Sequence, residues 1–233
     1  MLKVLSISTI TSVRTTSIQK ETIDLLDVNI GDDVLFILDK NRIVNIRKFK
    51  KGIILGTGEE YISTSHIGRV TTAHRVHMIV GIPRDVGSAI NADIGDKILW
   101  ILANDGNIIL RNDVILDGCS IDIFHKDVGA LIIGLSTIDL GTNILQVPKE
   151  IIDILGLVQR NRAILSLDGY GNIIMSNEIG KNLLQEFSIL GLYNIRIRKQ
   201  VIDIINTSDK VLWFFDEEGN IIIKNDLLPD NCI

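Results

Sequence analysis

Ile82-Pro83-Arg84-Asp85, continued by Ile90-Asn91-Ala92-Asp93-Ile94-Gly95-Asp96-Lys97, then Ile98-Leu99-Trp100-Ile101-Leu102 and Asp105-Gly106-Asn107-Ile108-Ile109-Leu110, is the stretch that decides how this chain folds. It reads as the end of one apolar strand, a short helix, a second apolar strand, a polar turn and a closing isoleucine strand. The chain repeats the phrase, and repetition at a fixed spacing defines an architecture before any single residue is weighed. A third copy begins 65 residues later with Val147-Pro148-Lys149-Glu150 and ends in Gly171-Asn172-Ile173-Ile174-Met175. The first copy holds Ile18-Gln19-Lys20-Glu21, Ile30-Gly31-Asp32-Asp33, Val34 to Leu38 and Ile43-Val44-Asn45-Ile46. The fourth holds Ile197-Arg198-Lys199-Gln200, Val201 to Ile205, Val211 to Phe215 and Gly219-Asn220-Ile221-Ile222-Ile223.

Within each copy, turn chemistry and periodicity predict the elements. Ahead of the Pro or its equivalent lies a hairpin: Ser6 to Ile10 with Thr15 to Ile18, Val70 to Ile82 around His74 and Arg75, Ile132 to Ile138 with Asn143 to Val147, and Ile189 to Leu192 with Asn194 to Ile197. Pro83 and Pro148 stand where a helix can begin, since the N–H that proline lacks is unpaired there in any case. About two helical turns follow, and Asp105-Gly106 or Gly171-Asn172 closes a second hairpin. A unit of about 45 residues with four short strands is too small to bury its own apolar face, so copies must combine. The simplest pairing joins copy one with two and copy three with four, and one with four is the alternative.

Composition fits many short aliphatic strands: 46% of the 233 residues are hydrophobic and only 5% aromatic. No apolar run approaches the ~18 residues of a membrane helix, and a leader segment is not expected at the start, so the expectation is a cytoplasmic chain that engages no membrane. Cys119 and Cys232 are too few for a disulfide framework or a zinc site, and no cofactor is expected. The net charge is −5, from 24 basic and 29 acidic residues. Residues 1–120 balance at 14 of each, whereas 121–233 hold 10 and 15, so the negative charge lies in the second half.

The phrase I/V-P-K/R-E, followed by L-G, G-D, an aliphatic strand and G-x-I-I-L, resembles the AbrB/MazE/SpoVT superfamily of swapped-hairpin domains. The resemblance covers most of the chain four times over and leaves linkers at roughly 48–68 and 112–130. It implies a mostly β fold with short helices: two tandem pseudo-dimeric swapped-hairpin barrels, one over residues 1–115 and one over 128–228. It further implies a DNA-binding transcriptional regulator that meets double-stranded DNA through basic residues of the hairpins. Copy one supplies Arg14 and Lys20, and copy two supplies Arg69, Arg75 and Arg84 with His74 and His77 nearby. Copy four supplies the weaker set of Arg196, Arg198 and Lys199, whereas copy three offers Asp139, Gly141, Thr142 and Asn143 with only Lys149 beyond them.

The rival expectation is an interaction or oligomerisation module, in which the acidic second half holds a protein partner or a second copy of the chain. Each arginine also has a plain reading as a solvated charge that keeps a strand edge from aggregating. The run Arg42, Arg47, Lys48, Lys50 and Lys51 is a candidate phosphate grip, or else a solvated exit from a strand. Gly52 to Gly58 lacks the Gly-Lys-Ser/Thr ending of a phosphate loop. No enzyme and no metal site is expected. Asp32, Asp96 and Asn161 read as turn residues that bond their local backbone. Trp100 and Trp213 occupy matching places in copies two and four and read as core or inter-barrel residues rather than base-stacking ones.

Overall fold

The computed structural model describes residues 2–72, 76–112, 131–157, 162–169, 171–177, 182–207, 209–216 and 218–228. These are mostly β with four short helices, in two antiparallel sheets, one a half-barrel and one a nearly closed barrel. Two compact units divide the chain, one on either side of the segment between residues 112 and 131.

The first unit runs β1 (Leu2–Thr9), β2 (Thr15–Ile18), α1 (Lys20–Leu26), β3 (Asp33–Leu38), β4 (Val44–Lys48), β5 (Glu60–Thr71), β6 (Val76–Gly81), α2 (Arg84–Ala89), β7 (Lys97–Leu102) and β8 (Ile108–Asn112). The second runs β9 (Leu131–Asp139), β10 (Ile144–Gln146), α3 (Lys149–Ile154), β11 (Arg162–Leu167), β12 (Ile173–Ser176), β13 (Leu183–Ser188), a single 3-10 turn at Gly191–Tyr193, β14 (Asn194–Arg196), α4 (Lys199–Ile205), β15 (Lys210–Phe215) and β16 (Ile221–Asn225). Spatial order in the first unit is β1-β7-β8-β4-β3-β5-β6-β2, and in the second β13-β11-β12-β16-β15-β9-β10-β14.

Strands of one copy pair with strands of the next. β1 of copy one lies against β7 of copy two, with Ser6 opposite Trp100, and β5 of copy two lies against β3 of copy one. β4 and β8 meet about a near two-fold centre at Asn45 and Ile109. The second unit repeats this: β9 pairs with β15, β11 with β13, and β12 with β16 around Ile174 and Ile222. Each of the outer pairings carries a register shift, between Val4 and Ser6, Phe36 and Ile37, Leu165 and Ser166, and Trp213 and Phe214. Such irregularities bend a strand and help a small sheet curl.

Each unit encloses its own aliphatic core around one tryptophan. Trp100 and Trp213 are both 0% exposed. Each indole N–H donates to a serine hydroxyl at 2.9 Å, Trp100 to Ser8 and Trp213 to Ser136. The core reading of both tryptophans therefore holds.

Local chemistry explains the repeated elements. Pro83 and Pro148 cap α2 and α3 at the position just before the first helical residue. The second hairpin of each copy closes on an aspartate. Asp168 accepts the backbone and side-chain N–H of Asn172, and Asp216 does the same for Asn220. Asp39 and Asp105 hold the equivalent turns of copies one and two. A side chain near the end of the last strand then secures the carbonyl at each helix C-terminus: Lys48 to Asp27, Asn112 to Asn91, Asn177 to Leu155 and Asn225 to Asn206. The last carbonyls of a helix have no intrahelical donor, so these bonds fill a standing vacancy.

Two elements differ from expectation. The segment 48–68, read as linker, contains most of β5. That strand is largely polar (Ser63, Thr64, Ser65, His66) and half-exposed, so it lacks an aliphatic pattern, and its ladders to β3 and β6 hold it in place. Of residues 189–192, read as strand, the first two lead into the 3-10 turn and the last two belong to it, and the strand itself lies earlier at Leu183–Ser188. Among the described residues no helix is long and apolar enough to cross a membrane.

Candidate nucleic-acid interface

In the first unit β2, β6 and β5 lie side by side, and this layer collects most of the expected contact residues. Ile18, Met78 and Arg69 form one row across the three strands. Lys20 opens α1 two residues beyond Ile18, so Lys20 and Arg69 stand at the same end of the layer. Both are exposed. Arg84 opens α2 at the other end, where Thr15 pairs with Gly81, and it too is exposed. Three residue steps along β2, from Thr15 to Ile18, separate the two ends by ~10 Å at the usual strand rise. His77 is exposed on β6 opposite Val70. His74 and Arg75 lie outside the described residues.

Arg14 behaves differently from the others. It sits in the β1–β2 turn with φ of 56°, and its carbonyl accepts the N–H of Ile82 at 2.7 Å. Its guanidinium folds back on the protein. Nη1 donates to Asp93 at 2.5 Å and Nε to the Ile82 carbonyl at 3.2 Å, leaving the side chain 21% exposed. A Cβ added at Gly87 would come within 2.5 Å of Arg14 Nη2, so the glycine is what admits the guanidinium. The N–H of Ile94 and the Arg14 guanidinium hold the Asp93 carboxyl below its ordinary range. Arg14 is thus a brace between copies one and two. Beside it lies a cleft of about 520 Å³, also lined by Arg84, Asn91 and Asp96.

The basic run around β4, from Arg42 to Lys51, is largely neutralised within the fold. Arg47 makes a bidentate pair with Glu59, at 2.7 and 3.2 Å, and Lys48 lies 3.2 Å from Asp32. Arg42 faces Glu60 at 3.8 Å. Lys50 and Lys51 remain exposed. The glycine-rich loop that follows holds a carboxylate rather than a phosphate, because Gly56 N–H donates to Glu59 at 2.6 Å. Asp32 and Asp96 bond local backbone N–H groups as expected of turn residues, at Asn29 and Asp93. Asn161 lies outside the described residues.

Glu59 gives a pH-dependent prediction. The Arg47 guanidinium, and after it the Gly56 N–H, lower its carboxyl from the ordinary 4.5. A depressed carboxyl stabilises the fold above its unfolded value and loses that contribution as pH falls through the lowered one. Glu59→Gln is therefore expected to lower the melting temperature at about pH 7, and the deficit should shrink on going to about pH 3. Thermal melts of both proteins at the two pH values check this, and a deficit that does not narrow in acid would refute it.

The second unit presents a different surface. Arg196 is exposed on β14 opposite Ile144, and Arg198 and Lys199 are exposed at the start of α4. The Gln185 side chain bridges the Arg196 carbonyl and the Arg198 N–H, which ties β13 to this segment. In the β9–β10 turn Asn143 takes the place of Arg14, with φ again 56° and its carbonyl accepting the Ile197 N–H. The turn is organised by a carboxylate, Asp139, which accepts from Gly141 and Thr142. The Thr142 hydroxyl and the Gly141 N–H hold its pKa below the ordinary value. Among the described residues no group of three or more His, Cys, Asp or Glu is placed to hold a metal ion.

Sequence reasoning missed Asp93, Glu59 and Gly87. The signal for Gly87 was present: it falls where the other three helices carry Ile23, Ile152 and Ile202. Compared with known proteins, the chain matches no family model, no curated protein and no solved structure.

Proposed function

We propose that this chain is a DNA-binding regulator built from swapped-hairpin repeats, and that its first unit grips the duplex through Lys20, Arg69 and Arg84. The observation that carries the reading is the exchange of strands between copies, β1 onto β7 and β5 onto β3, with β2 and β6 joined beside them. Such an exchange supports the swapped-hairpin arrangement that the sequence resemblance implies. Lys20, Arg69 and Arg84 are exposed cations at the two ends of that layer, available for the phosphate contacts that dominate affinity for duplex DNA. Arg14 supports the layer rather than touching DNA, since its guanidinium is committed to Asp93 and Ile82. Arg196, Arg198 and Lys199 form a second, weaker set.

A second reading applies to the second unit alone. Its β9–β10 turn is held by Asp139 and carries the exposed Leu140, which favours contact with a protein over contact with phosphate.

Fluorescence anisotropy with random-sequence duplex DNA, at low and moderate salt, tests the proposal. Lys20→Ala/Arg69→Ala/Arg84→Ala is expected to weaken binding and to flatten the log–log salt slope by about 2.7, at roughly 0.9 per lost phosphate contact. Absence of binding by the unmodified chain at low salt would sink the regulator reading.

A further inference from the structure

Aligning the four helices by their place in the repeat isolates α2. At three successive positions α1, α3 and α4 carry Ile23-Asp24-Leu25, Ile152-Asp153-Ile154 and Ile202-Asp203-Ile204, whereas α2 carries Gly87-Ser88-Ala89. The cleft of about 520 Å³ opens beside the first two of these small residues, Gly87 and Ser88. Its size lies within the ~300–1,000 Å³ of small-molecule sites.

The charges left over in the cleft are of both signs. Arg14 is satisfied by Asp93 Oδ1 and the Ile82 carbonyl. Arg84 lines the same space and is exposed, and it acts on Asp93 through space without closing to an ion pair among the described residues. On the acidic side, Asp93 uses Oδ1 for both Arg14 and the Ile94 N–H, and Asp96 uses Oδ2 for the Asp93 N–H. That leaves Asp93 Oδ2 and Asp96 Oδ1 as acceptors. A simple anion entering here would meet two carboxylates, and a simple cation two guanidiniums, so each is repelled by half of the lining. A molecule carrying both signs a few ångströms apart is matched by both halves. Ala92 and Ile94, the latter 49% exposed, add an apolar wall.

We infer that this cleft binds a small zwitterion, an aliphatic α-amino acid, with its carboxylate on Arg84, its ammonium on Asp93 and Asp96, and its side chain on Ile94. The site belongs to the first unit alone, because the second unit has Asn143 and Ile202 in place of Arg14 and Gly87. The inference does not depend on DNA binding.

Calorimetric titration of the full chain with L-leucine, L-valine and L-alanine tests it, alongside two leucine analogues that each lack one charge, isocaproate and isoamylamine. The expected result is saturable binding of at least one amino acid, with the two analogues at least tenfold weaker than leucine. Ser88→Asp installs in the cleft the carboxylate that the other helices carry, four residues after Arg84 on the same helix. There it competes for that guanidinium and is expected to weaken binding at least tenfold, with folding checked by thermal melting. Arg84→Ala, at an exposed position, is expected to weaken it at least tenfold. Failure of all three amino acids to bind would overturn the inference. So would equal binding of isocaproate, or binding that neither variant alters.

Discussion

Trp100→Ala is expected to cost the first unit about 3–5 kcal/mol, and Trp213→Ala to cost the second unit the same, as full removal of a buried indole usually does. Both side chains are wholly buried, each at the centre of its unit's apolar cluster, so truncation leaves a large cavity where neighbours on several strands meet. The loss is more than volume. In the first unit Ser8 Oγ accepts from Trp100 Nε1 at 2.9 Å and from the Thr16 hydroxyl at 2.7 Å, so the ring closes a buried polar chain linking β7, β1 and β2. Ser8→Ala separates the two contributions. It keeps the indole but strands two buried donors, which should cost about 1–3 kcal/mol. Urea titration followed by circular dichroism gives the total, and hydrogen exchange shows which unit bears it. A Trp100→Ala loss below about 1 kcal/mol would mean that the ring is not the centre of the core described above.

Gly134→Ser is expected to destabilise the second unit by about 1–3 kcal/mol, the usual range for overpacking. A Cβ at this position would lie 2.5 Å from Pro148 Cγ and 3.1 Å from Pro148 Cβ, with Trp213 Cδ1 a further 3.5 Å neighbour. The proline ring is rigid and caps α3, and the tryptophan is locked by Ser136, so neither can withdraw at little cost. The first unit shows how the repeat tolerates a side chain here. At the equivalent positions it carries Ser6, which is buried, and Gln19, which is exposed. The double variant Gly134→Ser/Pro148→Gln should therefore recover part of the loss, giving a coupling of about 0.5 kcal/mol or more between residues in contact. Chemical denaturation of the two single variants and the double variant measures it. Strict additivity would show that the close approach of Gly134 and Pro148 is not what fixes this pair.

Much of this was legible in the chain because it is local. Pro83 and Pro148 before a helix, Asp-Gly and Gly-Asn turns, and matching tryptophans each act over a few residues, and their four-fold recurrence separates them from chance. β5 was illegible for the opposite reason. Its residues carry no apolar period, and only the ladders to β3 and β6, supplied by other parts of the chain, make it a strand. The candidate interface divides in the same way. Lys20, Arg69 and Arg84 are exposed, whereas the fate of Arg14 depends on Asp93, a residue 79 positions away. Likewise Arg47 reads as a free cation until the loop after β4 brings Glu59 to it.

The sequence by itself determined the repeat, the succession of strand, helix, strand and closing hairpin, the turn chemistry and the aliphatic, tryptophan-centred cores. Tertiary structure alone decided which strands pair across copies, and which cations are held inside the fold or left exposed. It also decided where a cleft opens. The physical reason is that backbone propensity and burial pattern act within a few residues, while a charge is fixed by whichever opposite charge the fold brings within a few ångströms, and that neighbour can come from anywhere in the chain.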